Sequence, residues 1–396
     1  MRAVIYGAGN IGRGFIARLF AGAGYGIIFI DTAAPLLEGL NREKRYPIRL
    51  LSPENSRDVW VEGISAINGL DTDKAEQAIA EADIMATAVG VRVLPFIAPV
   101  IARGISKRMR SCGRALDIII CENLIDADLV LAALVKEKLN GEEQKFFDQK
   151  IGLIKASIGC MVPIQTDAMK DGNNLRICTE DYSKLPVDKK AFRGNIPEVE
   201  GMEAFDNFGF YIERKLFIHN MGHAVCAYLG LYLGDEYIYQ TTDRTEILYI
   251  AQNAMLESAM ALSHKYNEPF ADLQKHIMNL LRRFANRALG DTCLRVGADT
   301  ARKLGEKDRF IGAIKCCRQE NIRPLFASAG AAAALFRHLE EQKLPQTRAE
   351  AGRVLEEISL LPKGSPDSEF ILSAYLYLSG KNALQQLIRY LMTFFG

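Results

Sequence analysis

The chain has one tryptophan and five histidines in 396 residues, and no excess of either charge sign, with 49 Lys and Arg against 48 Asp and Glu. A formal charge of +1 gives no global field that would hold the protein on nucleic acid or on an anionic membrane, so any anionic partner must be met by local groups. No Cys-x-x-Cys pair occurs. The cysteines, at 112, 121, 160, 178, 226, 293, 316 and 317, lack zinc-ligand spacing and read as reduced, mostly buried thiols of a cytoplasmic protein with no bound metal. Long apolar runs are also missing. The most apolar stretch, Ala329 to Phe336, falls far below the roughly 18–20 residues that span a bilayer. The N-terminus, with a lone Arg2 and a short apolar run, predicts no secretory leader.

What is present is 49% hydrophobic, 24% charged and 9% aromatic, an ordinary globular balance that makes a disordered or fibrous chain untenable. At about 100–200 residues per domain the length predicts two domains. Up to about residue 163, short β-branched runs alternate with helical segments, the pattern of a parallel sheet covered on both faces. Expected strands are Ala3–Tyr6, Ile27–Ile30, Ile84–Ala88 and Ala115–Cys121, with Ile151–Ile154 as a further one. Between Thr179 and Gly201 the sequence turns polar and carries Pro186, Pro197, Gly194 and Gly201, which predicts a boundary near residue 195. Beyond it the period is helical, near 211–232, 244–265, 268–288, 307–319, 325–341 and 347–359. The expectation is an α/β fold: a Rossmann-type doubly wound sheet over 1–195, then an all-α domain over 196–396. The small residues Ala329–Ala334 would let a helix pack closely. Two such domains can bury their cores as a monomer.

The first strand runs directly into Gly7-Ala8-Gly9-Asn10-Ile11-Gly12, and an amphipathic segment with Phe15, Ile16, Leu19 and Phe20 follows. A bare G-x-G-x-x-G is weak, but strand, turn and helix in this order are the context a dinucleotide site requires. Gly7 permits the tight turn, Gly9 removes a Cβ from the path of the pyrophosphate, and Gly12 lets the helix lie close to the sheet. The helix N-terminus then meets the anion, with Arg13 in reach. Asp31, at the end of the second strand, is placed to accept hydrogen bonds from ribose hydroxyls and to repel a 2′-phosphate, which favours NAD over NADP. A flavin and an unliganded glycine turn are the competing readings. Past later strands, Thr87-Ala88-Val89-Gly90 offers small residues over which a cofactor can pass. Asn123 in Cys121-Glu122-Asn123 is either a cap or turn asparagine or an amide near the reacting centre.

In the second half, Tyr211 to Ala224 contains Lys215, His219, Asn220, Gly222 and His223. At 100° per residue, His219, His223 and Asn220 fall at about 40°, 80° and 140° from Lys215. This polar face holds an amine able to act as a base if neutral, an amide able to stabilise an oxyanion, and imidazoles able to orient a hydroxyl. That set suits alcohol oxidation or its reverse, although a solvated helix face has the same pattern. Gly222 in mid-helix implies a close ligand or close helix packing. Tyr211 and Lys215 also spell the Tyr-x-x-x-Lys of short-chain dehydrogenases, whose glycine turn is not matched because Ala8 stands ahead of Gly12 and Gly14.

These segments together resemble the mannitol dehydrogenase family of polyol-specific long-chain dehydrogenases. The similarity lies in the opening G-A-G-N-I-G-R-G-F, in Thr87–Gly90 followed by Leu94–Pro99, and in Cys121–Leu124. It continues in Lys215-x4-Asn220-x2-His223, the most specific match, and in Arg295-Val-Gly297, Arg302–Gly305 and Asp308-Arg309. The resemblance implies an active site in a cleft between a Rossmann and a helical domain. It implies Lys215 as general base, Asn123 and Asn220 as oxyanion-stabilising amides and His223 as a substrate-positioning residue. The implied reaction interconverts D-mannitol 1-phosphate and D-fructose 6-phosphate with NAD and without metal. The same mechanism on an unphosphorylated polyol or a hexuronate is the alternative, and an NAD-responsive regulatory protein is a non-enzymatic one. One departure bears on the substrate: the family's V-D-R-I-V-P is replaced by Ile158-Gly-Cys-Met-Val-Pro163, with Lys155, Arg302 or Lys303 as candidates for the missing cation.

Overall fold

The opening strand, β1 (Arg2–Tyr6), turns Ala3 and Ile5 to one side and Val4 and Tyr6 to the other, and all four are buried. Each pair enters a different core. Ala3 and Ile5 pack with Phe15, Phe20, Ile27 and Phe29, whereas Val4 and Tyr6 pack with Ile79, Ile97, Ile101 and Ile118. A strand buried on both faces is what a doubly wound parallel sheet demands. The computed structural model describes residues 1–52, 54–380 and 384–394, and the chain forms two compact units, Met1–Phe208 and Gly209–Gly396.

After β1, the strands of the first unit are β2 (Gly26–Asp31), β3 (Arg45–Leu51), β4 (Arg57–Glu62), β5 (Ile64–Asn68), β6 (Ile84–Thr87) and β7 (Leu116–Ile120). They continue with β8 (Ile151–Lys155), β9 (Ile177–Glu180), β10 (Leu185–Asp188) and β11 (Met202–Phe205). The main sheet runs β5-β2-β1-β6-β7-β8 with every pairing parallel. Renumbered within the sheet this is the Rossmann order 3-2-1-4-5-6, whose direction reverses between β1 and β6, so a ligand crevice is expected beyond the carboxyl ends of those two strands.

The sequence-based strands all belong to this sheet, but β5 and a small second sheet, β4-β3-β9, are additional. In β3 the alternating Tyr46, Ile48 and Leu50 are each buried, a period-2 signal obscured by Pro47 and by the charges at 45 and 49. Pro47 is tolerated because pairing to β9 begins only at Ile48. The small sheet rests on the glycine-rich helix: a Cβ at Gly14 would come 2.8 Å from Ile177 Cγ2.

The polar stretch around residue 195 stays within the first unit. Asp117, buried in β7, accepts hydrogen bonds from the backbone N–H of Arg193 (2.8 Å) and Gly194 (3.0 Å). β11 then pairs in parallel with β10, so the unit closes at Phe208.

The second unit is helical, and its described residues form no strand ladder, only an isolated bridge between Tyr237 and Thr292. Its centre is the helix Met221–Leu233, buried on every side from Met221 to Gly230, as an apolar helix must be. Around it pack helices Thr245–Tyr266, Phe270–Phe284, Ile311–Gln319 and Leu325–Glu341. The small-residue patch lies in the last of these, where a Cβ at Gly330 would come 2.6 Å from Val225 Cγ2. Buried Glu257 accepts the N–H groups of Phe326 and Ala327 at 2.9 Å, giving partners to the first donors of that helix, and burial raises its pKa to about 8. Helices Pro366–Ser379 and Leu384–Met392 were not expected from the period.

Candidate active site

In the first unit the glycine turn closes on the point where strand order reverses. Gly7 adopts φ +105°, and an added Cβ would lie 2.4 Å from the Ala88 carbonyl oxygen at the end of β6. A Cβ on Gly12 would lie 2.0 Å from the Gly7 carbonyl oxygen. Gly9 is the opposite case: it is exposed, and nothing stands within 4 Å of an added Cβ. Two glycines therefore serve packing, and the third keeps open the surface at the helix N-terminus that a pyrophosphate would occupy. Asn10 is exposed beside it, Ile11 half-buried and Ala8 buried.

Asp31 comes to the same turn. Its Oδ2 accepts the Ala8 N–H at 2.7 Å, and its Oδ1 accepts the N–H of Thr32 (2.7 Å) and Ala33 (3.1 Å). A carboxylate has about four lone-pair positions, which leaves capacity for a ribose hydroxyl. This donor set, open turn and acidic strand end fit an adenine dinucleotide.

Arg13 is a correction. It faces inward and is 7% exposed, with Nε donating to the Ala8 carbonyl (2.6 Å) and Nη1 to the Leu175 carbonyl (2.7 Å). It fastens the turn to the 171–176 loop and does not offer its charge to a phosphate.

At the ends of β6 and β7 a residue that sequence reasoning passed over organises the loop. Glu122 is buried, its carboxylate accepting the Thr87 hydroxyl (2.6 Å) and the Val89 N–H (3.0 Å). The Cys121 N–H donates to the Thr87 carbonyl at 3.0 Å. Thr87 is thus buried, Ala88 backs Gly7, Gly90 is exposed at φ +87°, and Asn123 is exposed next to the fixed Glu122. The signal was available in the strand end, where a carboxylate adjoining an apolar strand has to find donors when buried.

In the second unit the Lys-Asn-His motif does not follow ideal α geometry. Residues Lys215–Asn220 form a π segment between helices Phe208–Arg214 and Met221–Leu233. In an i→i+5 ladder residues five apart lie one turn apart, so the Lys-x4-Asn spacing returns Asn220 toward the Lys215 side. A regular α-helix would place it about 140° away. Single π turns inside helices concentrate at functional sites. A second one, Gly12–Ile16, opens the dinucleotide helix.

His219 and His223 are both buried. His223 stacks on Phe284 (4.6 Å, 8°), and its Nε2 has no hydrogen-bond partner and lies 3.5 Å from Asp291 Oδ2. Asp291 is itself held by Arg295 through two bonds of 2.6 Å. Burial lowers the His223 pKa to about 4 against the opposing charge of Asp291, and burial with the charge of Arg283 drives His219 well below its ordinary value. Both rings are neutral at pH 7. The unfolded chain protonates them below about pH 6.5 and native His223 only near 4, so acidification through that window favours unfolding. Between pH 7 and 4.5 we expect His223 to account for about 2–3 kcal/mol of lost stability. Urea midpoints at the two pH values check this. A His223→Gln variant should show a smaller acid loss, and an unchanged loss would refute the assignment.

Gly222 serves packing, since a Cβ there would lie 2.4 Å from Met255 Sδ. The departure at 159–160 also has a physical basis. A Cβ at Gly159 would lie 3.1 Å from the Tyr182 hydroxyl, and Cys160 is buried with its Sγ 3.1 Å from Thr179 Oγ1. Among the described residues no group of three or more His, Cys, Asp or Glu could hold a metal ion, and no helix is long and apolar enough to cross a membrane.

A Rossmann sheet with an open glycine turn, joined to a helical unit bearing a lysine, an amide and a neutral histidine, defines a two-domain dinucleotide-dependent dehydrogenase. The chain belongs to the mannitol dehydrogenase family: its Rossmann domain model matches residues 1–201, and its C-terminal domain model matches residues 207–348. The mannitol-1-phosphate 5-dehydrogenase of Brevibacillus brevis is 36% identical over 377 residues, covering 94% of this chain and 96% of that protein. That of Oceanobacillus iheyensis is 34% identical over 374 residues, with the same coverage. Pseudomonas fluorescens mannitol 2-dehydrogenase, solved as a ternary complex with NAD and D-mannitol, has the same fold. Its TM-score is 0.77 at 15% identity, over 99% of this chain and 94% of that one.

Proposed function

We propose that this chain is an NAD-dependent dehydrogenase interconverting D-mannitol 1-phosphate and D-fructose 6-phosphate, with the dinucleotide on the first unit and the sugar phosphate on the second. The observation that carries the reading is the π segment that holds Lys215 and Asn220, in a chain similar over 94% of its length to mannitol-1-phosphate 5-dehydrogenases.

Bound NAD supplies a hydride acceptor at nicotinamide C4. Gly7–Gly12 receive its pyrophosphate, Asp31 its ribose, and Thr87–Gly90, braced by Glu122, lie along its path. In the oxidative direction Lys215, as the neutral amine, removes the proton of the reacting hydroxyl, and in the reductive direction its ammonium returns it. The amides of Asn123 and Asn220 donate to the oxygen as charge develops on it. Neutral His223 orients a neighbouring hydroxyl. These residues supply both proton transfer and charge stabilisation, and no step calls on a metal.

The test is loss of NADH absorbance with fructose 6-phosphate, run beside fructose and tagaturonate. Oxidation with the phosphorylated ketose is expected. Activity confined to fructose or tagaturonate would move the substrate, and no activity with any of the three would refute an enzymatic reading.

The cofactor preference has its own check. Asp31→Asn keeps an acceptor for the Ala8 N–H and removes the charge that repels a 2′-phosphate, so the NAD over NADP preference should narrow about tenfold or more. An unchanged ratio of kcat/KM values would take Asp31 out of the ribose site.

A further inference from the structure

Five basic side chains lie from Arg295 to Arg309 in the second unit; Lys307 is exposed, and three of the others are committed to partners. Arg295 forks onto Asp291. Buried Lys303 gives its ammonium to the carbonyls of Val296 and Ala298. Arg302, half exposed, pairs with Asp308 at 3.0 Å.

Arg309 differs. Its side chain is 7% exposed, yet Nε bonds only to Asp308 Oδ1 (2.8 Å), and Nη1 reaches only the Asn220 carbonyl at a long 3.4 Å. A guanidinium carries five N–H donors, so most of this one has no partner among the described residues. No Arg309 nitrogen is both buried and unbonded among the described residues, so its remaining donors face solvent, open to an incoming acceptor. Two buried polar atoms without a hydrogen-bond partner lie in its field, the Tyr228 hydroxyl and His223 Nε2. A group that accepts hydrogen bonds and carries negative charge would complement these donors, beside the Asn220 carbonyl.

We propose that Arg309 receives the phosphate of the sugar phosphate and so sets the preference for a phosphorylated over an unphosphorylated chain. This rests on the substrate reading above. A phosphate takes an arginine fork bidentately. Asp308 does not oppose it, because Arg302 and Arg309 share that carboxylate. Arg309 is then a specificity residue that takes no part in proton or hydride transfer.

The experiment compares wild type, Arg309→Gln and Arg309→Lys, measuring kcat and KM for fructose 6-phosphate and fructose, NADH affinity, and the thermal shift produced by inorganic phosphate. In Arg309→Gln, kcat/KM for fructose 6-phosphate should fall by about 100-fold, chiefly through KM. Fructose turnover and NADH affinity should hold, and the phosphate shift should disappear. Arg309→Lys keeps the charge without the fork and should lie between, and it carries the comparison if the glutamine variant does not fold. An equal fall for both sugars would make Arg309 structural, a fall in NADH affinity would assign it to the cofactor, and a phosphate shift retained in the variants would remove it from the anion site. Each of these overturns the proposal. If wild type does not reduce fructose 6-phosphate, the substrate reading fails, and the phosphate shift still decides whether Arg309 holds an anion.

Discussion

Lys215→Met should lower kcat by on the order of 10² to 10⁴, the range expected when a positioned acid–base is removed, while NADH affinity stays within about twofold of wild type. Methionine keeps most of the alkyl stem, so packing around the π segment survives and the ammonium is lost. The split between turnover and cofactor affinity follows from the division of the chain. Every residue assigned to the dinucleotide, from Gly7 to Gly12, Asp31, Thr87 to Gly90 and the bracing Glu122, lies in the first unit, and Lys215 lies in the second. Fluorescence titration with NADH and steady-state kinetics on fructose 6-phosphate measure the two quantities separately. A parallel loss of both would mean that Lys215 maintains the fold. Full retention of kcat would require another base.

Much of this site was readable because its signals are local. A β-branched run, a glycine turn and an amphipathic helix follow one another within twenty residues, and the period of each reports the face it buries. Asp31 was legible for the same reason, since it terminates a strand adjacent in sequence to the turn it serves. Arg13 was misjudged because its partner, the Leu175 carbonyl, is 162 residues away, and nothing local shows which way a guanidinium will point.

The strand β9 was missed on similar grounds, since its one partner, β3, lies more than a hundred residues away, whereas β3 was hidden by Pro47 and its flanking charges. Glu122 makes its two bonds to the end of a neighbouring strand, so its burial depends on sheet order. The π segment is subtler. The Lys-x4-Asn spacing was visible, but periodicity at 100° per residue separated the two side chains, and an i→i+5 ladder over Lys215–Asn220 reduces that separation. A motif whose spacing disagrees with α geometry is thus a hint of a π turn.

Gly9→Ala and Gly12→Ala should fail in opposite ways, although they are three residues apart in one motif. At Gly12 the new methyl would lie 2.0 Å from the Gly7 carbonyl oxygen and 3.3 Å from Ile5 Cγ2. That carbonyl belongs to backbone already pressed against Ala88, so the turn cannot yield without leaving β6. The expected loss is about 3 kcal/mol or more, a fall in Tm of about 6–12 °C for a unit of this size, with NADH binding lost as a consequence. At Gly9 the methyl meets nothing within 4 Å and the backbone needs no positive φ, so Tm should be unchanged. The methyl would occupy the surface over which the pyrophosphate must pass, and NADH affinity should fall by about 10- to 100-fold, or about 1.4–2.8 kcal/mol. Thermal melts and NADH titrations on the two variants test both statements. If Gly9→Ala binds NADH like wild type, the dinucleotide does not cross this turn. If Gly12→Ala melts like wild type, the helix does not owe its closeness to the sheet to a missing Cβ.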